Sequence, residues 1–234
     1  MDPVKLLPVN EVYGPVLQGE GPHAGRLVYF MRLGGCNLAC QWCDTPYTWD
    51  ANRFNLAKEN PLTDLEYLLE QLPTKGLLVI SGGEPLMHQG NATFLAFLQA
   101  WAGTVHVETN GTIVPSPYLQ HRVELFMVSP KVNEQGDIRH KRIKVRALEM
   151  FAHLSRSGRA AFKVVCETER EVTEAAALLT AFRVPKEQSW VMPQGLTSKN
   201  VLRVAKTIEP AVVAHGLNLT LRQHVLLHED KRGV

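Results

Sequence analysis

The segment VYFMRLGGCNLACQWCDTPYTW, residues 28–49, carries three of the chain's four cysteines in a Cys-x3-Cys-x2-Cys spacing. The apolar residues at its start are typical of a β-strand, and the pair Gly34-Gly35 ends that strand. The cysteines therefore lie in a loop, residues 34–60, which we call the cysteine loop: Cys36, Cys40 and Cys43. Three thiols this close in sequence cannot complete a set of disulfides, so they indicate a metal site.

The ligand set itself narrows the kind of metal site. Sulfur ligands favour zinc, copper(I) and iron–sulfur clusters, and a zinc finger would need a fourth Cys or His at a comparable short spacing. His23 and His88 are not placed for that. Iron–sulfur clusters are normally held by four cysteines, so a triplet predicts a 4Fe-4S cluster with one iron left open. A zinc site completed by a distant histidine stays open as an alternative, whereas small core cysteines are disfavoured because the polar Asn37, Gln41 and Asp44 interleave them.

Further short motifs accompany the cysteines along most of the chain. They are LQGEG at 17–21, Arg32 four residues before the first cysteine, Trp42 before the last one, CDT at 43–45, SGGEP at 81–85, ETNG at 108–111 and SPK at 129–131. In this combination the chain resembles the 7-carboxy-7-deazaguanine synthases, a family of radical S-adenosylmethionine (SAM) enzymes. The resemblance spans residues 9–224, and the combination is far more specific than the cysteine spacing alone.

The resemblance implies a radical SAM lyase with a 4Fe-4S cluster, SAM and Mg²⁺ as cofactors. In such an enzyme the reduced cluster cleaves SAM, and the radical that results takes a hydrogen from 6-carboxy-5,6,7,8-tetrahydropterin. The pterin ring contracts and loses ammonia, which gives 7-carboxy-7-deazaguanine for the synthesis of queuosine or other deazapurines. The family also implies a homodimer and an electron donor such as flavodoxin, with no contact to nucleic acid at this step.

The resemblance assigns roles residue by residue. Cys36, Cys40 and Cys43 hold the cluster, and Thr45 contacts the magnesium ion. The SAM-binding residues are expected to be Trp42, Asp44, Gly82, Gly83, Glu84, Glu108, Asn110, Ser129, Lys131, Met192 and Gln194. The substrate-binding residues are expected to be Leu17, Gln18, Gly19, Glu20, Arg32, Ser81 and His224. No side chain is expected to be catalytic, because the cofactor carries the radical.

Several of these assignments agree with the chemistry of the residues. The glycines of SGGEP allow the backbone to approach a ligand closely, and the hydroxyl of Thr45 is a hard ligand suited to magnesium. The guanidinium fork of Arg32 matches a carboxylate, while a glutamine and a glutamate in LQGEG can pair with the amide and amine edge of a pterin. Lys131 and His224 have plainer alternatives, as a solvated lysine and a structural histidine.

Length and composition describe an ordinary globular domain. The 234 residues fit one domain, 1–234, long enough to bury a large core. The 25 basic and 23 acidic residues leave a net charge of +2, which favours neither acidic nor basic partners. The basic run HKR at 140–142, with Lys144 and Arg146, is interpreted as a solvated helix face rather than an RNA site. Cys166, in the apolar segment FKVVC, is predicted to be a small buried residue.

The compartment is also predicted from the sequence. No apolar segment is long enough to cross a bilayer, and Met1-Asp2-Pro3 does not begin a signal peptide. We therefore predict a cytoplasmic protein that does not use a membrane. A reducing compartment also suits cysteines that serve as metal ligands.

Strands and helices are predicted to alternate along the chain. Residues 1–8 are interpreted as a tail, residues 9–25 as an irregular segment with a short edge strand, and residues 222–234 as a C-terminal tail. Strands are expected at 28–33, 77–80, 105–107, 125–128, 161–166, 190–191 and 217–221, and helices at 62–72, 94–101, 143–154, 169–182 and 200–208. This alternation predicts parallel βαβ units, in an α/β fold that forms an open (βα)6 partial barrel with the cysteine loop after its first strand. The motifs then collect at the carboxyl ends of the strands.

Two other functions share part of this pattern. A small activase that installs a glycyl radical in a partner enzyme would have the same cysteine triplet, but LQGEG and CDT speak against it. A non-catalytic iron–sulfur or zinc module would leave Arg32, the glycines of SGGEP and Lys131 without a role. The three functions differ in whether SAM and a carboxypterin are consumed.

Overall fold

A single mixed sheet organises the protein. The structure is a computed structural model that describes residues 6–132 and 137–233. The described strands are β1 (Leu7–Leu17), β2 (Leu27–Leu33), β3 (Leu62–Thr63), β4 (Leu77–Gly82), β5 (Thr104–Thr109), β6 (Leu125–Val128), β7 (Ala160–Cys166), β8 (Ser189–Pro193) and β9 (Asn218–Leu219). Their order in the sheet is β3-β1-β2-β4-β5-β6-β7-β8-β9.

Helices connect the strands and cover the outer face of the sheet. They are α1 (Leu56–Glu59), α2 (Leu65–Gln71), α3 (Ala92–Ala100), α4 (Pro117–Arg122), α5 (Arg139–Arg142), α6 (Val145–Ser155), α7 (Glu169–Ala181), α8 (Ser198–Ala214) and α9 (Gln223–His228). Short 3-10 helices are formed by Gly21–His23, Pro46–Thr48, Pro85–His88 and Lys186–Gln188. None of the helices in the described ranges is long and apolar enough to span a membrane.

The parallel part of the sheet confirms the predicted fold class. Strands β2 and β4 to β9 pair in parallel, each with the next, as expected for βαβ units. The described sheet does not close, because β3 and β9 form its two edges. The protein is therefore an open α/β partial barrel, and the cysteine loop follows β2, its first parallel strand.

The N-terminal segment differs from the prediction. Residues 9–25 were expected to be mostly irregular, but β1 is an 11-residue strand that pairs antiparallel with β2 from Val9↔Leu33 to Leu17↔Leu27. The pairing shifts between Tyr13 and Val16, around Gly14, whose φ is +131°. These irregularities remove the strict alternation by which a strand is recognised in a sequence. Residues 1–5 of the predicted tail lie outside the described ranges.

Three other boundaries differ. The helix expected at 62–72 begins only after Asp64, whose side chain caps Tyr67 N–H, and Leu62–Thr63 pairs with β1 instead. The helix expected at 200–208 extends to Ala214 and passes through Pro210, a residue that usually ends a helix in a sequence-based prediction. The predicted C-terminal tail contains α9, and its last residue, Val234, is outside the described part of the chain.

On β2 and β7 the inner face of the sheet changes from apolar to charged residues along the strand. Strand β2 points Val28 and Phe30 inward and then Arg32, and β7 points Ala161 inward and then Lys163. Because side chains alternate between faces with a period of two, every second residue of a strand shares the inner face. The intervening residues pack against the helices in the main core. Arg32 and Lys163 therefore lie on the inner face, after the apolar residues of their strands.

A histidine pair occupies the inner face one position before the charged layer on β5. His106 lies 4.8 Å from His23 between ring centroids, and its Nε2 is 3.6 Å from a carboxylate oxygen of Glu124. Burial lowers the pKa of His106 to about 4, and the His23 ring beside it acts in the same direction. Burial also lowers the pKa of His23. Both rings are therefore neutral at pH 7.

We predict that acid destabilises the protein through His106. The unfolded chain binds a proton at this residue below about pH 6.5, whereas the folded chain does so only near pH 4. Stability is therefore lost as the pH falls from about 6.5 to 4, by on the order of 2 kcal/mol at pH 5. His106→Leu should reduce the difference between urea-unfolding free energies measured at pH 7 and pH 5. The exposed-site control His121→Leu should leave that difference unchanged, and equal pH dependence in both variants would contradict the assignment.

Candidate active site

One cavity lies at the carboxyl ends of the parallel strands. Its volume is about 510 Å³, within the size range of small-molecule sites. It gathers most of the residues singled out from the sequence: Leu17, Gln18, Gly19, Glu20, Arg32, Cys36, Cys40, Trp42, Cys43, Asp44, Thr45, Ser81, Gly82, Gly83, Glu108, Asn110, Ser129, Lys131, Met192 and His224. The structure therefore brings the N-terminal segment, the cysteine loop, the strand ends and α9 together around one space.

The cysteine loop presents its three sulfurs to the cavity. The Cys36 sulfur accepts a hydrogen bond from the backbone N–H of Leu38, and the Cys43 sulfur accepts one from the indole N–H of Trp49, each at 3.4 Å. Burial raises the pKa of Cys36 to about 12 and also raises the pKa of Cys40. Buried thiols that receive N–H donors suit thiolate ligands, because metal binding removes the thiol proton.

Three cysteine sulfurs match the ligand count of a cluster with one open corner. In the described ranges, no group of three or more His, Cys, Asp or Glu side chains is placed to hold one metal ion. A 4Fe-4S cube instead takes each cysteine at a separate corner, and three cysteines leave the fourth corner for another ligand. The zinc alternative therefore has no ligand set among the described residues.

Two glycines allow the SGGEP segment to pack on the cysteine loop. A Cβ added at Gly82 would lie 2.1 Å from the carbonyl oxygen of Leu33, and one added at Gly83 would lie 2.0 Å from that of Gly35. The N–H of Gly83 donates to Leu33 O at 3.1 Å, and the N–H of Glu84 donates to Gly35 O at 2.8 Å. Because these donors are used within the protein, the motif can offer a ligand amine its carbonyl oxygens rather than these N–H groups.

Glu84, one of the residues expected near SAM, has its hydrogen-bond partners within the protein. Its side chain is fully buried and does not line the cavity. The carboxylate accepts hydrogen bonds from the backbone N–H of Leu86 at 3.0 Å and Asn110 at 2.7 Å, and from the Thr109 hydroxyl at 2.9 Å. Burial raises the pKa of Glu84 to about 7. The side chain of Glu84 thus connects SGGEP to ETNG.

Gln194 also lies outside the set of cavity-lining residues. Its backbone N–H donates to the carbonyl oxygen of Cys166 at 2.9 Å, which continues the pairing of β7 and β8. Met192, two residues earlier, does line the cavity. Cys166 itself is buried, as predicted from its apolar surroundings.

A network of buried charges around Glu20 forms one wall of the cavity. Glu20 pairs with the ammonium of Lys163 and with Arg222 Nε at 3.0 Å. Arg222 also pairs with Asp44 and donates to the Gly195 carbonyl at 2.7 Å. Burial opposes ionisation of Glu20, but Lys163 and then Arg222 lower the pKa of this carboxyl well below its usual range. Glu20 is therefore an anion at any working pH.

Glu108 belongs to the same wall. Its carboxylate accepts the hydroxyl of Ser81 at 2.8 Å and the side-chain N–H of Gln18 at 3.5 Å, and it lies 3.9 Å from the Lys163 ammonium. Glu108 was expected near SAM from the resemblance. In the structure it accepts hydrogen bonds from Ser81 and Gln18, two residues that the resemblance assigned to the substrate.

Arg32 offers one free edge of its guanidinium to the cavity. Its Nε donates to Glu11 at 2.6 Å, and its Nη2 lies 3.5 Å from the hydroxyl of Tyr13. Both partners stand on β1, the strand that the sequence did not resolve. They fix the plane of the guanidinium, so the arginine is held before a ligand binds.

Lys131 lies next to the cysteine loop. Its ammonium donates to the Ser129 hydroxyl at 2.9 Å and stands 5.2 Å above the Trp42 ring. Its carbonyl accepts Arg142 Nη1 at 2.7 Å. The sequence predicts Arg142 to be part of a solvated helix face. In the structure its side chain is instead 3% exposed and is hydrogen-bonded to the backbone of the Lys131 segment.

The C-terminal helix completes the cavity. His224 Nε2 is 3.8 Å from a carboxylate oxygen of Glu20, and burial lowers the pKa of His224. A Cβ added at Gly19 would lie 2.2 Å from His224 Nδ1, so only glycine allows this contact. The Gln223 N–H donates to Gly19 O at 2.9 Å. Helix α9 thus packs directly on the LQGEG segment.

Comparison with known proteins agrees with this geometry. Residues 32–152 match the model of the radical SAM superfamily. The chain is 32% identical to the 7-carboxy-7-deazaguanine synthase of Pyrobaculum aerophilum over 219 residues, which cover 93% of each chain. It is 33% identical to that of Hyperthermus butylicus over 230 residues, with 95% of this chain and 93% of the relative covered. The chain belongs to the 7-carboxy-7-deazaguanine synthase family of radical SAM enzymes.

A solved structure of similar size supports the family assignment at the level of the fold. The crystal structure of QueE from Escherichia coli superposes with a TM-score of 0.65 at 26% identity, and it covers 94% of this chain and 95% of that one. Membership in this family makes the 4Fe-4S cluster and SAM the cofactors of the protein. The three sulfurs and the glycine-rich strand end have the donor chemistry that these cofactors require.

Sequence reasoning missed two cations of this synthase-family cavity. Lys163 lies in the apolar strand segment AFKVV, at a position with the same parity as Ala161 and Val165. A lysine on the inner face of a buried strand is a strong signal, since lysine is almost never buried without a partner. Arg222, two residues before His224, gave no comparable signal because its partners lie more than 20 residues away in sequence.

We predict that Arg222→Met destabilises the protein by about 3 kcal/mol, because it leaves Glu20 with one partner fewer in a buried site. Urea unfolding of the SAM-free protein measures this change. The matched control is Arg170→Met, which removes an exposed ion pair with Glu174 and should cost less than about 0.5 kcal/mol. Similar losses in the two variants would show that the Arg222 pairs contribute no more than a surface contact.

Proposed function

We propose that this protein converts 6-carboxy-5,6,7,8-tetrahydropterin to 7-carboxy-7-deazaguanine with release of ammonia. The product would serve queuosine or another deazapurine pathway. The observation that carries the proposal is the lining of this cavity, which includes three cysteine sulfurs, an ionised carboxylate and an oriented guanidinium. Relatives named for this activity match the chain over nearly its whole length.

The chain's own residues bind and orient the reactants. When bound, the cluster and SAM supply the radical that removes a hydrogen from the substrate. Cys36, Cys40 and Cys43 would hold the cluster. The SAM-binding residues would be Trp42, Asp44, Gly82, Gly83, Asn110, Ser129, Lys131 and Met192, which line the cavity around the cysteine loop.

The substrate would lie against the charged wall. Arg32 would bind the substrate carboxylate through the edge of its guanidinium that Glu11 does not occupy. Glu20, kept anionic by Lys163 and Arg222, would accept hydrogen bonds from the N–H groups of the pterin ring. Gln18 would pair with the amide edge, and Leu17, Gly19, Ser81 and His224 would complete the site.

Thr45 is the proposed protein ligand of the magnesium ion. It lines the cavity two residues after Cys43, with its hydroxyl 3.6 Å from that sulfur. Magnesium keeps most of its waters and takes one or two protein ligands. One hydroxyl near both the cluster and the substrate wall is therefore sufficient to hold the ion against a substrate carboxylate.

Three properties of the protein in the cell are part of the same proposal. The protein would work in the cytoplasm, where thiols stay reduced. It would receive electrons from a donor such as flavodoxin. It would form a homodimer, since an open sheet leaves edge strands that a second copy can cover.

Anaerobic incubation of the reconstituted protein with SAM, dithionite and the carboxypterin tests the activity. We expect ammonia and the absorbance of a deazaguanine to appear together, and both to require SAM. Formation of 5′-deoxyadenosine without pterin consumption would instead fit a glycyl-radical activase that lacks its partner. Neither product, together with an EPR spectrum of the cluster that SAM does not change, would fit a non-catalytic metal module.

Arg32→Lys should weaken the pterin specifically. The variant keeps the charge but loses the planar fork, and one charged hydrogen bond is worth about 1.5–3 kcal/mol, so kcat/KM for the pterin should fall by roughly 10- to 150-fold. The loss should appear mainly in KM, while SAM binding is retained. Arg170→Lys, at an exposed position of α7, provides the control. An unchanged KM would place the substrate carboxylate elsewhere in the cavity.

A further inference from the structure

A basic surface lies outside the cavity and has no role in the reaction described above. It consists of the exposed side chains on α5 and at the start of α6: Arg139, His140, Lys141, Lys144 and Arg146. The net charge of the whole chain is only +2, so this concentration of positive charge is local. Among the described residues, Lys141 is the one member with an ion pair, at 3.3 Å from Asp137.

Two large apolar side chains stand within the basic surface. Ile138 is 58% exposed and Val145 is 57% exposed. A solvated helix face needs no such residues, whereas protein interfaces combine an apolar centre with a charged rim. The surface carries no Phe, Tyr or Trp side chain, the large rings on which single-stranded nucleic acids stack their bases. Its composition therefore favours a protein partner over RNA.

The basic surface is attached to the cysteine loop from outside the cavity. The backbone N–H of Ala39, which is exposed between two of the cluster-binding cysteines, donates to the carboxylate of Asp137 at 2.5 Å. Asp137 immediately precedes the residues of the surface. A protein that covers the basic surface would therefore also approach the cluster from its solvent side.

The same surface is held firmly from below. Arg142 Nε donates to Asp137 O at 2.8 Å, and its Nη1 donates to Lys131 O and Val132 O at 2.7 and 2.8 Å. These bonds fix α5 against the segment that follows β6. The surface thus keeps its position relative to the cysteine loop, as a docking site beside a redox centre requires.

We propose that the basic surface is the docking site of an acidic electron-carrier protein. The inference rests on the proposed function, since a radical SAM reaction needs one electron from outside the chain. The carrier's reduced flavin or iron–sulfur centre loses one electron and the cluster of this protein gains it, and no bond is made or broken. Long-range attraction between opposite charges speeds the encounter, and a small transient interface then suffices.

The test compares charge reversal on this surface with the same reversal elsewhere. Arg139→Glu/Lys144→Glu reverses two exposed positive charges and spares Lys141, which pairs with Asp137. The control, Lys75→Glu/Lys206→Glu, changes the net charge equally at exposed positions before β4 and on α8. Stopped-flow absorbance follows reduction of the cluster in the SAM-loaded holoprotein by a reduced flavodoxin or ferredoxin, in the absence of pterin.

We expect the second-order rate constant to fall about tenfold or more in the surface variant at low ionic strength, because charges at the rim of an interface act on association. The control should stay within about twofold of the unmodified protein. The difference should shrink near 1 M salt, where the Debye length is about 3 Å. Reduction by dithionite should be the same in all three proteins.

Two results would overturn the proposal. One is an equal rate for the surface and control variants at low salt, with matching thermal melts. The other is salt-sensitive binding of a short RNA that the surface variant loses while its reduction by the carrier is unchanged. If the surface variant melts lower, Arg139→Gln/Lys144→Gln replaces it and should show a smaller loss in the same direction. Dithionite-driven turnover of the pterin tests the proposed function separately, so either idea can fail alone.

Discussion

The guanidinium of Arg222 joins three segments that are distant in sequence. It reaches Glu20 before β2, Asp44 in the cysteine loop and the carbonyl of Gly195 after β8. A buried arginine is tolerated only when its donors are satisfied and its charge is compensated. This requirement fixes how close the substrate segment, the cluster segment and the last strand of the cavity must lie. The shape of the cavity therefore follows from satisfying one buried cation.

The parallel arrangement of the strands explains how much of the fold and of the site could be predicted from the sequence. In a βαβ sheet the carboxyl ends of the strands meet at one edge, so motifs that follow apolar segments must converge there. Arg32, Ser81 and Ser129 follow three such segments, and all three line the cavity. The parallel βαβ units and the position of the site could be predicted from the apolar segments and the polar residues after them.

What the sequence concealed depends on contacts between distant residues. Strand β1 has irregular pairing around Gly14, so its periodicity is lost although β2 supplies its hydrogen bonds. Arg142 lies in a basic segment of the sequence, but its side chain is buried and donates hydrogen bonds to the carbonyl groups of Lys131 and Val132. Glu84 belongs to a recognisable motif, yet its carboxylate accepts hydrogen bonds from backbone N–H groups. In each case the residue type was visible in the sequence and its partner was not.

The positive charges of the cavity divide into two kinds. Lys163 and Arg222 each lie near two carboxylates, so they hold those anions in place and leave little charge for a ligand. Lys131 has a hydroxyl and an aromatic ring as its described partners, and Arg32 has one carboxylate on one edge. SAM and a carboxypterin bring one carboxylate each. Charge complementarity therefore leaves Lys131 and Arg32, rather than Lys163 and Arg222, as the cavity cations that can pair with a ligand carboxylate.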